Sequence, residues 1–548
     1  MRALEALGWI ALLVGGAIFW WRTRRRGGWH GAASPSARAG AAARTGSTRA
    51  AGSAEDIEPG RNEMNKTLRT ISDIRRFFHR NERPIYFISA TNFNLLGIDE
   101  WVRNFKYVSY IDCYDGRHPN VFVPNEAPHA EFESIEDINN YLLEHKEVID
   151  HIKSRGGRPV ATFLMFDEKT EALCRELGIE IWFPPAALRS RCDNKIETVR
   201  IGNKAGVPSV PNALKKVGSY EELRKVCQEA GLGHDLVIQS AFGDSGHTTF
   251  FIKSEEDWNK YAKEIVSEPE VKIMKRINCR GATLEACATR HGTLVGPLLT
   301  EVVGQKKLTP YKGGWCGNEI FPGAFTQGIR DQALDYAFKF GNELIKEGYR
   351  GYFDLDFLID QDTGDVWLGE LNPRVTGASS MTNHAAFAQA DAPLFLFHLL
   401  EFSGAEYEID VNELNARWAD PEFIDDWCQL VIKHTPDTVD IVTEAPESGI
   451  WRMQSDGSLA YSRFDYHRRM VESEAEAFYL RITGEGDYRY EGADLGILIM
   501  RGRAMTDEFE LNARAHKFID GIVGKYKGKP LPSAEVEAVP APGAFKIL

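Results

Sequence analysis

Between residues 84 and 183 short apolar runs alternate with amphipathic stretches. The runs at 84–88, 107–111, 160–166 and 179–183 read as strands, and the stretches at 135–152 and 168–177 read as helices. That alternation predicts a parallel sheet covered on both faces, with a short amphipathic helix at 68–78 ahead of it. The pattern changes after residue 190. A helix at 194–205 ends at Gly206, and strand–turn–strand segments follow the pairs Val207-Pro208 and Val210-Pro211. The segments 236–240 and 248–252 form a hairpin around the loop 241–247. Helix 255–266 and antiparallel strands at 271–276, 282–288 and 293–303 come next. A long apolar helix is expected at 385–402, and a strand-rich region at 439–527 that closes on a helix at 508–523. A loose tail rich in Pro, Ala and Glu is expected at 528–548. The fold class is α/β and α+β, multidomain, without an internal repeat.

One hairpin carries chemistry. In FDLDFLIDQDTGDVWLGELNPR, residues 353–374, two strands flank the turn Asp362-Thr363-Gly364. Period-two alternation puts Asp354 and Asp356 on one face of the first strand, and Glu370 and Asn372 on one face of the second. Centring on Thr363 sets Asp356 opposite Glu370. Facing carboxylates repel, and a divalent cation between them removes the penalty; hard oxygen ligands suit Mg²⁺, with Mn²⁺ as the alternative ion. Arg374 adds a planar cation fitted to carboxylate or phosphate.

Three weaker signals precede the hairpin. The loop FGDSGHT offers Gly243, Ser245, Gly246 and His247 to phosphate oxygens, though no GK[ST] follows it. Lys195 stands on the first turn of its helix, where it can reach a phosphate. VKIMKRI, 271–277, is an apolar strand whose exit could present backbone groups and Met274 to a flat ring. Read singly, these are equally a hairpin turn, an exposed lysine and a core strand.

Length and charge bound the alternatives. A chain of 548 residues exceeds one core. A net charge of −14 argues against nucleic-acid binding through bulk charge. Eight cysteines without a CxxC pair fit a reducing compartment. The loop after the first strand reads SATNFN, not GxGxxG, so a dinucleotide site there is unsupported. At the N-terminus the uncharged run 6–21 is followed by Arg22, Arg24, Arg25 and Arg26. That order predicts a membrane tether within residues 4–21 that leaves the rest of the chain cytoplasmic. The alternative is a working protein that begins near Met64.

Helix lysine, strand, glycine loop, hinge strand and a carboxylate hairpin ending in ELNPR occur in that order, and together they resemble the ATP-grasp superfamily over about 190–405. The layout is nearest the biotin-carboxylase and carbamoyl-phosphate-synthase branch. The resemblance implies a doubly wound pre-ATP-grasp domain at 64–190 and a two-lobed nucleotide domain at 191–405. A strand-rich C-terminal lobe at 406–527 follows, and an expected anchor at 1–30, a linker at 31–63 and the tail 528–548 flank the body. It implies ATP and Mg²⁺ as cofactors, with small-molecule or peptide carboxylate and amine as substrates. Asp356, Glu370 and Asn372 match the metal-binding residues and Arg374 the arginine at an acyl phosphate. Lys195, Gly243, Ser245, Gly246 and His247 match phosphate contacts. Met274, Lys275 and Ile277 match the adenine hinge and Glu285 a ribose-side or adenine-side acid. Two positions depart from the pattern. The usual second lysine is Gln239 and the hinge acid is Lys275; Lys306, Lys307 and Lys312 are candidates to compensate. After Arg374 the chain reads VTGASSMTNH rather than Q-V-E-H. The implied activity is an ADP-forming carboxylate–amine ligase. A bicarbonate-activating carboxylase and a catalytically decayed ATP-binding protein are the alternatives.

Overall fold

The computed structural model describes residues 67–243, 248–383 and 385–531. The N-terminal anchor and linker, Ser245, Gly246, His247, His384 and the tail beyond 531 lie outside the described residues. Among the described residues no helix is long and apolar enough to cross a membrane. The elements below belong to one compact unit, outside which residues 126–130 fall.

Strands β1 (Ile85–Ser89), β2 (Phe105–Ser109), β3 (Val121–Phe122), β4 (Val160–Phe163) and β5 (Glu180–Ile181) pair in parallel in the order β3-β2-β1-β4-β5. Every residue of β1 is buried, as cover on both faces requires. The single helix expected at 135–152 is two helices, Ile135–Glu144 and Lys146–Ser154. His145 breaks it by taking an extended backbone, and its ring accepts a hydrogen bond from Glu147 N–H at 3.2 Å.

A second, antiparallel sheet holds β6 (Asn212–Lys215), β7 (Leu236–Gln239), β8 (Thr249–Ile252) and β9 (Val271–Lys275) in the order β6-β9-β7-β8. Between β6 and β7 runs a helix, Tyr220–Ala230, where turns and strands were expected. Ser219 caps it, and Leu223 and Cys227 join Ile238, Ile273 and Trp258 in the core of this lobe.

The rest of the chain is built on β10 (Cys279–Thr289), β11 (Gly292–Val303), β12 (Trp315–Ile320), β13 (Gly351–Asp360), β14 (Val366–Asn372), β15 (Trp427–Lys433), β16 (Asp440–Glu444), β17 (Gly449–Met453), β18 (Leu459–Arg463), β19 (Glu476–Arg481), β20 (Tyr488–Arg489), β21 (Asp494–Arg501) and β22 (Lys527–Pro530). Ten of these strands form one sheet in the order β14-β13-β10-β11-β12-β15-β21-β19-β17-β18. The sheet crosses the boundary expected at 405/406, because β12 pairs with β15. Strands β20, β16 and β22 form a separate sheet, so residues 528–530 are a paired strand and not part of a loose tail. The apolar segment at 385–402 is not one helix. Its described helices are Ala386–Ala390 and Leu394–Phe402, and Pro393 at the head of the second forbids continuity.

At the β13–β14 end, one face of the large sheet is apolar. Phe353, Leu355, Phe357 and Leu368 pack there with Ala333, Ala337, Phe340 and Leu344 of the 20-residue helix Gln327–Lys346. The opposite face is therefore left for polar side chains.

Candidate functional site

The polar face is a strip of carboxylates across four strands. The β13–β14 ladder pairs Asp354 with Asn372 and Asp356 with Glu370. On β10, Thr283 lies beside Asp356 and Glu285 beside Asp354. Glu301 of β11 lies over Gly281 of β10; a Cβ on Gly281 would stand 1.8 Å from the Glu301 Oε2, so only glycine leaves room for that carboxylate. Thr283 Oγ1 donates to Asp354 Oδ1 at 2.6 Å. Asn372 Nδ2 donates to Asp356 Oδ2 at 3.1 Å and to Asp354 Oδ2 at 3.4 Å.

Crowding of like charge out of water shifts these groups. Burial first, then Asp354 and Glu370, hold the Asp356 carboxyl well above the usual carboxylate range. Asp354 is raised likewise by burial and then by Glu285. Glu301 is pushed up to about 8 by burial, with Asp356 and Glu370 adding to it. An isolated strip of this kind is unfavourable, and a cation relieves it.

Two lysines reach the strip. Lys195 follows Asn194, whose side chain caps the helix Lys195–Ala205, and its Nζ is ion-paired to Glu370. Lys272 of β9 donates to the carbonyl oxygen of Gly369 at 3.3 Å. Burial lowers the Lys272 ammonium to about 8, Glu370 opposing and Lys195 reinforcing that shift. Gln239 faces Lys272 across the β7–β9 ladder and donates to Thr249 Oγ1 at 3.3 Å. Arg374 donates from Nη2 to Asn372 Oδ1 at 2.9 Å, while its buried Nε has no partner among the described residues.

A β-bulge joins the acids to an apolar floor. Asp356 pairs with Glu370 but Phe357 pairs with Leu368, so Gly369 is the extra residue. One inserted residue reverses the facing of everything beyond it. Trp367, opposite Leu358, therefore shares the face of Glu370. Leu358 and Trp367 pack on a small cluster of Val210, Val237 and Met274, with Ile277 beside it. Acids, lysines and an apolar cluster thus follow one another along one face of the β13–β14 hairpin, an arrangement suited to a polyphosphate joined to a flat ring.

The expected site residues divide as follows. Lys195, Asp356, Glu370, Asn372 and Arg374 come together, and Met274 and Ile277 belong to the apolar cluster. Lys275 is exposed at the end of β9. Gly243 is exposed at the edge of the undescribed loop segment. Glu285, expected on the ribose or adenine side, sits in a hydroxyl-lined interior position. It is fully buried opposite Asp354, and hydroxyls of Tyr352, Ser379, Thr382 and Thr376 all donate to it. Those four donors lower its pKa, but burial dominates and leaves it at about 7. Its work is to clamp the segment after Arg374. In the same segment Ser380 donates to Gln429 Oε1 at 2.7 Å, and Asn383 donates to Leu96 O at 3.4 Å. The loop after β1 reaches the same segment through Asn94 Nδ2, which donates to Thr376 O at 2.9 Å. Lys306, Lys307 and Lys312 are exposed, and Lys307 is paired to Asp520. Lys272 and Glu301 were not singled out from sequence: each reads as an ordinary polar position in an apolar strand.

Three or more His, Cys, Asp or Glu groups do not form a ready-made metal cage among the described residues. The donor chemistry fits a shared ion instead. Two carboxylates supply part of an oxygen shell, the Asn372 oxygen would join them on turning its amide away from Arg374, and phosphate and water complete the shell Mg²⁺ prefers. The placement of an ammonium on Glu370 is consistent with a cation position there.

No family model matches the sequence. Solved structures do share the fold. The biotin carboxylase domain of Hydrogenobacter thermophilus 2-oxoglutarate carboxylase, in complex with MgADP, ADP and bicarbonate, aligns with a TM-score of 0.53 at 12% identity, covering 82% of this chain and 91% of that one. Biotin carboxylase from Campylobacter jejuni, in a nucleotide complex, gives 0.53 at 13% identity, covering 81% and 92%. Rhizobium etli pyruvate carboxylase gives 0.53 at 15% identity, covering 82% of this chain and 38% of that one. The chain has the ATP-grasp fold that the sequence resemblance implied.

Proposed function

We propose that this chain is an ATP- and Mg²⁺-dependent ligase that activates a carboxylate as an acyl phosphate and joins it to an amine, releasing ADP. The observation that carries the reading is the Asp356–Glu370 cross-strand pair, with Lys195 ion-paired to Glu370 and an apolar cluster further along the same hairpin. Asp356, Glu370 and Asn372 would hold Mg²⁺, which when bound neutralises phosphate oxygens. Lys195 meets a phosphate as a point charge. The exit of β9, Met274 to Ile277, with Leu358 and Trp367, receives the adenine. The phosphate-contact role expected of Gly243, Ser245, Gly246 and His247 falls, apart from Gly243, outside the described residues. Arg374, with an uncommitted Nε, steadies the acyl phosphate.

The chemistry balances without a protein nucleophile. A substrate carboxylate oxygen attacks the γ-phosphorus, and the bond to the β–γ bridging oxygen breaks to release ADP. The amine then attacks the acyl carbon, phosphate departs with the C–O bond, and the nitrogen gives up its proton. Positioning and fixed charge supply the acceleration. The large sheet runs on past residue 405 through β12 and β15, and a first domain at 64–190 goes with this reading. So does a cytoplasmic body tethered through residues 4–21; salt-resistant membrane fractionation of the full chain, lost on deleting 4–21, tests the tether.

A bicarbonate-activating carboxylase is the second reading, favoured by the bicarbonate that the Hydrogenobacter structure holds. An ADP-release screen over paired carboxylates and amines, with bicarbonate alone as one arm, separates the two. Asp356→Asn and Glu370→Gln are each expected to lower turnover by about 100-fold or more. Undiminished ATP turnover in the double variant overturns the assignment, and ADP release with bicarbonate and no amine replaces it with the carboxylase.

A further inference from the structure

Gln239 of β7 and Lys272 of β9 are direct partners in the antiparallel ladder. Such partners project to the same face, so a cation at either position lies on the same side of the small sheet. Gln239 is neutral and engaged with Thr249. Lys272 is 1% exposed, and its bond is to the carbonyl of Gly369, the extra residue of the β14 bulge. The bulge frees that carbonyl from regular pairing and lets it meet the lysine. A single acceptor leaves further ammonium protons to be satisfied. Lys195 is ion-paired to Glu370, whereas Lys272 has no ion-pair partner among the described residues. A buried ammonium without a carboxylate hydrogen-bonded to it is costly; the nearby Glu370 offsets part of that cost, and an arriving anion would offset more.

We propose that Lys272 is a phosphate-directed cation: with Lys195 it makes a two-lysine grip on the nucleotide polyphosphate, acting from β9 where a lysine at position 239 would act from β7. This rests on the nucleotide reading above. Lys272 contacts the ligand in this account, and its bond to Gly369 positions the ammonium between the small sheet and the hairpin. The competing role is a strut that merely ties β9 to β14.

The two roles separate in binding measurements on the full chain. The probes are the non-hydrolysable analogue AMPPNP with Mg²⁺, and adenosine, which has no phosphate. Lys272→Met is expected to weaken AMPPNP about 10- to 100-fold, the loss of a charge-assisted bond, and to leave adenosine within about twofold. Gln239→Lys added to Lys272→Met is expected to restore AMPPNP affinity to within about threefold of wild type, since the charge returns to the same side of the small sheet from the neighbouring strand. Equal loss of AMPPNP and adenosine, or a folded double variant without recovery, overturns the proposal in favour of a strut. If Lys272→Met does not fold, the double variant decides alone by the same criterion. Wild-type affinity in Lys272→Met, with binding lost in Asp356→Asn, overturns only the lysine. Failure of wild-type protein to bind AMPPNP overturns the nucleotide reading as well.

Discussion

Acidification should unlock the join between the first domain and the carboxylate strand at one histidine. His398, in the helix Leu394–Phe402, has no exposed surface. Its Nδ1 accepts from the Tyr352 backbone N–H at 3.0 Å, and its Nε2 lies 2.8 Å from the Trp182 carbonyl oxygen. Because Tyr352 N–H can only donate, Nδ1 must be unprotonated and Nε2 must carry the hydrogen. A second proton would point at a donor. Burial pushes this imidazole from 6.5 down to about 3, opposed only by the Trp182 carbonyl. The unfolded chain binds a proton at His398 below pH 6.5, and the folded chain does not until about pH 3. Stability from this group is therefore fully present above pH 6.5 and falls as pH drops through that window. At pH 5 the difference is about 1.5 pH units, or about 2 kcal/mol. Gln at 398 can accept from Tyr352 and donate to Trp182 without titrating. Urea unfolding at pH 7 and pH 5 is expected to show wild type losing about 2 kcal/mol more than His398→Gln. His118 and His434, lowered to about 3 and about 4 mainly by burial, are common to both proteins and cancel in the comparison. Equal acid losses in the two proteins would refute the reasoning.

Two further outcomes follow from the sheet. Asp356→Asn should raise the thermal midpoint of the nucleotide-free protein. The gain should grow from pH 5 to pH 8, because a carboxyl with a raised folded pKa loses stability as pH rises; a lower midpoint at pH 8 contradicts the repulsion argument. Gly317→Ala should cost about 1–3 kcal/mol, since Gly317 has φ 142° and a Cβ there would stand 2.0 Å from the Gln429 carbonyl oxygen; an unchanged midpoint in calorimetry rules this out.

Local pattern carried the hairpin: alternation around Thr363 fixed the facing of Asp356 and Glu370, because a one-residue slip would have put Phe357 outside. The bulge at Gly369 left no such mark, and with it went the placement of Trp367. Lys272 reads as a surface residue of a half-buried strand, and is enclosed only because a second sheet covers it. The surroundings of Glu285 were not legible because the hydroxyls that engage it come from residues 352, 376, 379 and 382, a convergence that spacing does not encode. Strand β12 went unread for the opposite reason to most: it buries Asn318 and Glu319, the latter accepting from Met505 N–H at 2.8 Å, so it lacks apolar alternation. Pro393 did announce the helix break, and the apolar run around it masked the signal.

The pairing of β12 with both β11 and β15 has a consequence for anyone who would dissect this chain. A cut near residue 405 would not free a tidy nucleotide module. It would strip β12 of its neighbour and expose a ribbon of unpaired amide and carbonyl groups, a template for sticking to other copies. The far half of the molecule is, in that sense, the protective selvage of the near one.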